Sequence, residues 1–319
     1  MWIPRFACPE CSVDLVDADA RVCGCDRCGN EYAHEDGLWS FLTPARRALL
    51  EPFLRQYRAV RERDRRRRVA GEYYTGLPWV PSDDPHAAEW RIRRESYGHL
   101  LRRTLSTVPE PIRILDLGAG NAWLSHRLAE LGHHVVALDV LDDEADGLRA
   151  AKHYGIRFPA IQADYDALPF APQQFDLVVF NGSLHYAPDP ASTLAAAHRM
   201  LAPAGTLAVM DSPMFVRDGD GRAMAAGMES RLASLLRGTL PPGADGADRF
   251  IQPGPGYLTF AAIDASAQSL GLRAEFIPSR GSIGWRLRRR LGGLRLGRPP
   301  AVFGVWIAKE RDGFSRASR

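Results

Sequence analysis

Long apolar runs are missing from this sequence. No stretch approaches about 18 consecutive apolar residues, so no membrane-spanning helix is expected. The N-terminus, MWIPRFACPE, lacks the apolar segment of a secretory signal peptide, which favours a cytoplasmic protein. Lysine occurs only at Lys152 and Lys309, so arginine carries almost all of the positive charge. Because the net charge is only +3, an arginine cluster is not by itself a sign of nucleic-acid binding.

Cysteine is absent after position 28, and all five cysteines lie between Cys8 and Cys28. Cys8 and Cys11 form one C-x-x-C pair, and Cys25 and Cys28 form a second pair after 13 intervening residues. Each pair places two thiolates on one tight turn, so the four sulfurs are expected to complete a tetrahedral, structural zinc site. Cys23 is expected to be a spare, with its use in place of Cys25 left open. Disulfides are the alternative, which an odd cysteine count and a cytoplasmic setting disfavour.

The most informative stretch is residues 112–140. Residues 112–117 are a short apolar run typical of a strand buried on both faces, and a helical pattern begins directly after Gly118 and Gly120. Gly118 allows the sharp turn, and Gly120 lets the backbone approach a ligand closely. The next apolar run ends in Asp139, about 20 residues past the glycines, where a βαβ unit presents an acid to ribose hydroxyls. The stretch therefore predicts a nucleotide-type cofactor site.

The phrase Asp116-Leu117-Gly118-Ala119-Gly120 resembles motif I of the class I S-adenosylmethionine (SAM) dependent methyltransferases, in particular the type 11-like group. The resemblance implies that this turn, with Asn121 after it, packs against the amino-acid end of SAM. It also implies that Asp139 takes the ribose and that the adjacent Val140 contacts the cofactor. The resemblance extends over roughly residues 112–211.

Residues 164–170, DYDALPF, resemble the phrase that follows the third strand in this family. In the family an acid at this place meets the adenine amino group. Asp164 is the first match, with Tyr165 as a neighbouring cofactor contact, and Asp166 ranks second.

Residues 181–186, NGSLHY, resemble the loop after the fourth strand in the small-molecule branch that includes the quinone-biosynthesis methyltransferases. In an open parallel sheet this loop lies beside the point where the strand order reverses. Asn181 is therefore expected at the cofactor, and His185 near the transferred methyl group. The ordinary histidine pKa suits a general base, so His185 is the candidate catalytic residue. The alternative is that His185 only forms a hydrogen bond.

Two segments are rich in arginine. Residues 46–68 hold ten arginines and three acids on a helical pattern, whereas residues 280–298 hold seven arginines and no acid. The simplest interpretation is a solvated helix face for the first segment and a solvated connector for the second. The alternatives are a polyanion-binding face for the first segment, and an acidic substrate, RNA or a membrane surface for the second. Residues 72–79, EYYTGLPW, suggest either a water-excluding lid or simple packing.

These patterns predict an α/β fold: a Rossmann-like, doubly wound, seven-stranded sheet with a small zinc-ribbon module at its N-terminus. The expected regions are a zinc ribbon at residues 1–43, which zinc would largely hold together, and a helical connecting arm and lid at 44–108. A SAM-dependent methyltransferase domain follows at 109–319, with C-terminal insertions on the substrate side.

The leading functional hypothesis is methyl transfer from SAM to a small or lipid-like metabolite, through an oxygen, nitrogen or carbon acceptor. The ribbon resembles the zinc ribbons of several bacterial methyltransferases, including 23S rRNA guanine-N1 methyltransferases in which the ribbon contacts RNA. An RNA methyltransferase is therefore the alternative, and a non-catalytic SAM-fold binding protein is a third class. The sequence does not indicate an oligomeric state.

Overall fold

The computed structural model describes residues 2–15, 21–68, 70–106, 111–236 and 250–310. The strands are β1 (Val22–Gly24), β2 (Glu31–Glu35), β3 (Leu38–Ser40), β4 (Arg113–Leu117), β5 (His134–Asp139), β6 (Ala160–Gln162), β7 (Phe175–Asn181), β8 (Leu201–Met210), β9 (Met214–Phe215), β10 (Leu258–Thr259), β11 (Leu272–Pro278) and β12 (Gly304–Glu310). The helices are α1 (Pro44–Arg63), α2 (Gly71–Gly76), α3 (Ala87–Leu100), α4 (Trp123–Glu130), α5 (Pro190–Met200), α6 (Asp218–Leu236), α7 (Phe260–Ser269) and α8 (Ile283–Leu296).

Seven strands form the part of the sheet that carries the cofactor motifs, in the order β6-β5-β4-β7-β8-β12-β11. β6, β5, β4, β7 and β8 are parallel, and β12 runs antiparallel to both β8 and β11. The strand order reverses between β4 and β7. In a sheet of this kind the crevice beyond the carboxyl ends of these two strands is where ligands bind.

β4 shows how both faces of the sheet are buried. Leu115 and Leu117 belong to the core on one face, and Ile114 belongs to the core on the other face. Side chains alternate along a strand, so Asp116 lies on the same face as Ile114, under α4. Helices and loops cover both faces, which explains why Ile114, Leu115 and Leu117 are apolar and fully buried although they alternate between the faces.

The N-terminal ribbon continues this sheet. β1, β2 and β3 form an antiparallel meander, and β3 pairs in parallel with β6, which produces one sheet of ten strands. Phe6, Trp39 and Phe41 pack in the same core cluster as Phe170 and Phe175. The predicted region 1–43 therefore shares its hydrophobic core with the catalytic sheet, because its apolar residues face the edge strand β6 and the residues beside it.

The connection between β5 and β6 has little regular structure. It contains one short 3-10 helix at Leu148–His153, and β6 itself extends over three residues only. Hydrogen bonds of Asp139, Asp143 and Leu141 fold residues 139–148 into turns. After β8, α6 is an insertion, and the arginine-rich segment 280–298 contains α8.

Candidate active site

The turn after β4 depends on the loop after β7. Gly118 has a φ of +73°, and a β-carbon there would lie 2.2 Å from Ser183 Cβ. Ser183 Oγ donates a hydrogen bond to the Leu117 carbonyl at 2.5 Å, and the Gly118 N–H donates to the Leu138 carbonyl at 2.8 Å. Only glycine combines this backbone conformation with such close contact. The ends of β4, β5 and β7 are thereby fixed together.

Asp139 anchors the glycine turn from the end of β5. Its Oδ2 accepts the Gly120 N–H at 2.8 Å, and its Oδ1 accepts the Leu141 N–H at 2.8 Å. Burial raises the pKa of Asp139 to about 6, against the lowering effect of these two N–H groups. Each carboxylate oxygen has a second lone pair, so both can still accept a hydrogen bond from a ligand in the crevice.

Asp116 lies below the crevice and does not line it. Its carboxylate is fully buried, and its Oδ2 accepts a hydrogen bond from Ser125 Oγ at 2.7 Å. Its Oδ1 has no hydrogen-bond partner among the described residues, and burial raises the pKa of Asp116 to about 7. The pleat of β4 points Asp116 toward α4, and its expected contact with the cofactor stays a prediction.

The other predicted cofactor residues meet in a cavity of about 580 Å³. Asp164 is nearly fully buried and lies deeper than the half-exposed Asp166, although both line this cavity. The Asn181 side-chain oxygen is buried and has no partner among the described residues. The sequence-predicted residues in the lining are Gly118, Ala119, Gly120, Asn121, Asp139, Val140, Asp164, Tyr165 and Asn181.

α1 forms the opposite wall of this first cavity, which sequence reasoning had not foreseen. Phe53 and Leu54 are buried there, and Tyr57 and Leu50 pack beside them. Arg46 donates to the Asp164 carboxylate, with Nε to Oδ2 at 2.7 Å. The 3.6-residue spacing of apolar residues in α1 was the only available signal, and it did not show which surface they would cover.

A second cavity of about 550 Å³ adjoins the first. Both cavities are lined by Arg93, Gly182 and Tyr186, so they meet at the loop after β7. The apolar walls of the second cavity come from α3, α6, α8 and residues 250–256, and its polar side includes Arg61, Asp64, Arg66, Glu89, Arg93 and Asp211. Its apolar lining includes Ile92, Met224, Met228, Leu232, Phe250, Trp285 and Phe303.

His185 lines the second cavity and is absent from the lining of the first. Its Nδ1 is 3.1 Å from Ser212 Oγ. Burial, with a smaller contribution from Arg93, lowers the pKa of His185 to about 3. The ring is therefore neutral at pH 7. It is also a much weaker base than its ordinary pKa suggested, because the protonated ring would lose its hydration.

Asp211, at the end of β8, also lines the second cavity and was not among the predicted site residues. Its Oδ1 accepts a hydrogen bond from Ser96 Oγ at 2.6 Å, and its Oδ2 is buried without a partner in the described part of the chain. Burial raises the pKa of Asp211 to about 6. A signal existed in the sequence, because the strand before Asp211 ends at the same sheet edge as the other site residues.

The predicted metal ligands also come together. Four sulfur atoms lie within 4.8 Å of one another, those of Cys8, Cys11, Cys25 and Cys28, and Cys23 is outside this group. The Cys8–Cys28 and Cys11–Cys25 sulfur pairs are 3.6 and 3.3 Å apart. With zinc–sulfur bonds of about 2.3 Å, a tetrahedron has edges of about 3.8 Å. The close approach of the four sulfurs is therefore compatible with a tetrahedral zinc site.

Residues 72–79 pack against the protein body. Tyr74 and Leu77 are fully buried, Tyr74 stacks on His153 at 4.8 Å, and its hydroxyl donates to the Ala145 carbonyl. None of these residues lines either cavity. The structure therefore favours simple packing over a lid for this segment, and α1 occupies the place beside the crevice.

No helix in the described ranges is both long enough and apolar enough to cross a bilayer.

Comparison with known proteins places the motif-bearing core in a family. Residues 115–209 match a methyltransferase domain family. Ubiquinone biosynthesis O-methyltransferase of Xylella fastidiosa is 31% identical over 186 residues, which cover 56% of this chain and 68% of the relative. Malonyl-[acyl-carrier protein] O-methyltransferase of Pseudescherichia vulneris is 32% identical over 130 residues, with 40% of this chain and 47% of the relative covered.

A solved structure of 1,6-didemethyltoxoflavin-N1-methyltransferase from Burkholderia thailandensis, with bound S-adenosylhomocysteine, is 18% identical. It superposes with a TM-score of 0.46 and covers 93% of this chain and 98% of that chain. The assignment rests on the sequence relatives and on the strand order with its motif residues, not on this superposition. The chain belongs to the class I SAM-dependent methyltransferases.

Proposed function

We propose that the enzyme transfers the methyl group of SAM to a hydroxyl group of a small, largely apolar acceptor. The observation that carries this proposal is the junction of the two cavities at Arg93, Gly182 and Tyr186. The first cavity has the residues expected for SAM. The second has an apolar wall formed by α6, α8 and Phe250, and a polar side that includes Arg93, His185 and Asp211. A donor in one cavity and an acceptor in the other would meet at the loop after β7.

The first cavity suits SAM in its donor and acceptor groups. Asp139, Asp164 and Asn181 offer oxygens that can accept hydrogen bonds from ribose hydroxyls and from amino groups. The unpartnered, buried Asn181 oxygen costs about 1–3 kcal/mol unless a ligand satisfies it. When bound, SAM supplies an electrophilic methyl group on a sulfonium. Phe53 and Leu54 of α1 would exclude water on the other side of this cavity.

Asp211 is the proposed base, and His185 is the proposed hydrogen-bonding partner of the acceptor. An acceptor hydroxyl must lose its proton as the methyl group is transferred, and Asp211 has an unpartnered oxygen at the second cavity. A carboxylate with a pKa of about 6 is ionised at pH 7 and is still a useful base. His185 is neutral there and can accept or donate a hydrogen bond without taking up the proton.

Oxygen is the proposed acceptor atom because both sequence relatives are named as O-methyltransferases. RNA is not favoured as the substrate. One wall of the second cavity consists of apolar side chains such as Met224, Leu232 and Phe250, which suit an apolar acceptor better than a polynucleotide. Six of the ten arginines in residues 46–68, which had suggested a polyanion-binding face, form ion pairs with carboxylates of the same chain: Arg46, Arg58, Arg61, Arg66, Arg67 and Arg68.

The first experiment separates cofactor binding from the acceptor. Calorimetry with SAM should show binding by the wild type and a loss of affinity of roughly 100-fold for Asp139→Ala, because two charge-assisted hydrogen bonds and the ribose contact disappear. Labelled SAM with hydroxylated aromatic and lipid acceptors, and in parallel with total RNA, then identifies the acceptor class. Methylation of RNA alone would contradict the proposal, and absence of SAM binding would contradict its first half.

The second experiment tests the two polar groups of the acceptor cavity. Asp211→Asn should lower turnover by about 100-fold with SAM affinity unchanged, whereas His185→Gln should lower it by less than about tenfold. The wild-type rate should fall below about pH 6, as Asp211 becomes protonated, and Asp211→Asn should lack this limb. A rate that is flat from pH 5 to 8 would remove Asp211 from the mechanism.

Zinc is the proposed metal of the cysteine group, in a structural role. Four thiolates leave no open coordination position, and the site lies in the ribbon meander rather than at the cavities. The proposed regions follow from this arrangement: a zinc ribbon at 1–43, a connecting arm at 44–108 and the methyltransferase domain from 109. Metal analysis should find one zinc per chain, and Cys25→Ala, but not Cys23→Ala, should abolish it.

A further inference from the structure

α8 is attached to the protein by one face only. None of its residues is fully buried, and Trp285, Arg289, Gly292 and Gly293 are its only half-buried ones. Arg289 stacks between the Trp285 and Phe303 rings, 4.4 and 5.0 Å from their centres, and donates to the Ala301 carbonyl at 2.6 Å. This face borders the second cavity through Trp285 and Arg289. The helix is thereby held in place over the acceptor side.

The opposite face of α8 is an exposed apolar stripe. Ile283, Leu287, Leu291 and Leu294 have 76%, 57%, 50% and 79% of their surface exposed. At 3.6 residues per turn these four residues fall on one side of the helix, directly across from Trp285 and Arg289. Aliphatic side chains exposed as a contiguous row normally mark a surface that binds something.

Arginines border this stripe on both sides. Arg286 and Arg290 fall along one edge of it, and Arg288 and Arg295 fall along the other. Segment 280–298 contains no acid, and in the part of the chain that the structure describes none of these four arginines contacts a carboxylate. The flanking charges are therefore free to meet anions outside the protein.

We propose that α8 is an interfacial helix that binds the surface of an anionic phospholipid bilayer. Its aliphatic stripe would enter the boundary between headgroups and acyl chains, and the arginines would reach lipid phosphates at both edges. RNA matches the charge but not the stripe, because bases stack on aromatic rings and Ile283, Leu287, Leu291 and Leu294 offer none. A second copy of this chain matches the stripe but not the charge, because two arginine-flanked stripes repel each other.

The place of α8 in the fold connects this surface with the acceptor cavity. β11 ends at Pro278, paired with Gly304 at the same sheet edge as the end of β8, so α8 follows at the crevice side of the sheet. A bilayer on its outer face would lie one helix diameter from the cavity that its inner face lines. If the proposed function holds, a lipid-like acceptor could enter this cavity directly from the bilayer.

The test is co-sedimentation of the full chain with vesicles. Phosphatidylglycerol vesicles should bind the wild type, and pure phosphatidylcholine vesicles should bind it at least about tenfold more weakly. Leu291→Asp should reduce binding to the anionic vesicles at least about tenfold. Leu131→Asp is the matched control, because Leu131 has the same side chain, is 44% exposed and lies just before β5 at the other edge of the sheet. This control should bind as the wild type does.

Three outcomes would overturn the proposal: equal binding to neutral and anionic vesicles, equal loss in the two variants, or no binding to either vesicle. Binding of an RNA oligomer that Leu291→Asp leaves intact, without vesicle binding, would identify the arginines as an RNA surface instead. Dimerisation that Leu291→Asp abolishes, again without vesicle binding, would identify the stripe as a contact between copies. SAM binding and methylation of a detergent-dispersed acceptor are measured separately, so failure of the membrane proposal leaves the proposed function standing.

Discussion

The two arginine-rich helices look alike in the sequence and differ in the structure. Both α1 and α8 combine many arginines with apolar residues at three- and four-residue spacing. In α1 the apolar side chains cover the cofactor cavity, and Phe53 and Leu54 are buried. In α8 the aliphatic side chains face outward, and no residue is fully buried.

The arginines differ in the same way. Arg46 and Arg61 of α1, and Arg67 just after it, pair with Asp164, Asp146 and Asp143, which follow β5 and β6 in the chain. The partners are therefore 76 to 118 residues away in sequence. The charge balance within one segment cannot show this kind of pairing. Arginine content alone therefore does not show whether a helix is docked or unpartnered. It also does not show whether the charges are structural or form a binding surface.

The largest expected effect is the loss of stability when a paired arginine of α1, rather than an unpaired arginine of α8, is replaced. Arg61→Ala should lower the free energy of unfolding by about 3 kcal/mol, because it leaves the Asp146 carboxylate buried without its cation. Arg288→Ala in α8 should change it by less than about 0.5 kcal/mol, since this arginine is exposed and unpaired. Urea denaturation measures both.

The double variant Arg61→Ala/Asp146→Asn is the control for the first of these changes. It should recover part of the lost free energy, because the neutral amide no longer needs a cation. Equal losses in the free energy of unfolding for Arg61→Ala and Arg288→Ala would contradict this difference between the two helices.

A smaller effect distinguishes a buried carboxyl without a cationic partner, Asp116, from one that pairs with an arginine, Asp143. Burial raises the pKa of Asp116 to about 7, so between about pH 4 and 7 the folded protein holds this proton more tightly than the unfolded chain does. The stabilising effect of that proton is therefore lost as the pH rises through 7. As the pH rises from 5 to 8, the free energy of unfolding of Asp116→Asn should increase by roughly 2 kcal/mol relative to that of the wild type.

Asp143→Asn is the matched control for this pH effect. Burial opposes its ionisation, but the Ala145 N–H and Arg67 outweigh it and lower the pKa of Asp143. The stabilising contribution of the ionised Asp143 carboxylate is lost only as the pH falls below about 4. The difference in the free energy of unfolding between Asp143→Asn and the wild type should therefore stay constant between pH 5 and 8. Because each variant is compared with the wild type at the same pH, contributions from the histidines cancel. Parallel curves for Asp116→Asn and the wild type would contradict the raised pKa.

The smallest expected effect concerns salt. The ion pairs of Arg61 and Arg67 are partly buried, so 0.5 M NaCl should shift the melting temperature by less than about 2 °C. The same salt should strongly weaken the proposed binding of α8 to anionic vesicles, because charges exposed to water are screened. Thermal melts at low and high salt give the shift in melting temperature, and co-sedimentation at the same salt concentrations gives the loss of vesicle binding. A large drop in melting temperature would mean that α1 is held by exposed charges.

Part of the active site could be predicted because its residues are close in sequence. The turn from Asp116 to Gly120 and the acid at Asp139 belong to one βαβ unit, whose geometry a short stretch determines. The loop at 181–186 follows from the rule that ligands bind beyond the carboxyl ends of parallel strands. The fold class and the family are confirmed, and the individual cofactor contacts stay predictions.

The rest of the site depends on burial, which a motif does not encode. Asp211 has a raised pKa and His185 a strongly lowered one because of what packs around them. Asp116 belongs to the motif, but the pleat of β4 points it away from the crevice.

Spacing within a short stretch of sequence was enough to identify the family, the cofactor motif and the four-cysteine cluster. Three properties are visible only in the folded chain: the acids that the α1 arginines neutralise, the raised pKa of Asp211 and the exposed apolar face of α8. They arise between segments far apart in the chain, because Coulomb energy and desolvation depend on distance in space, whereas the sequence records only the order of the residues.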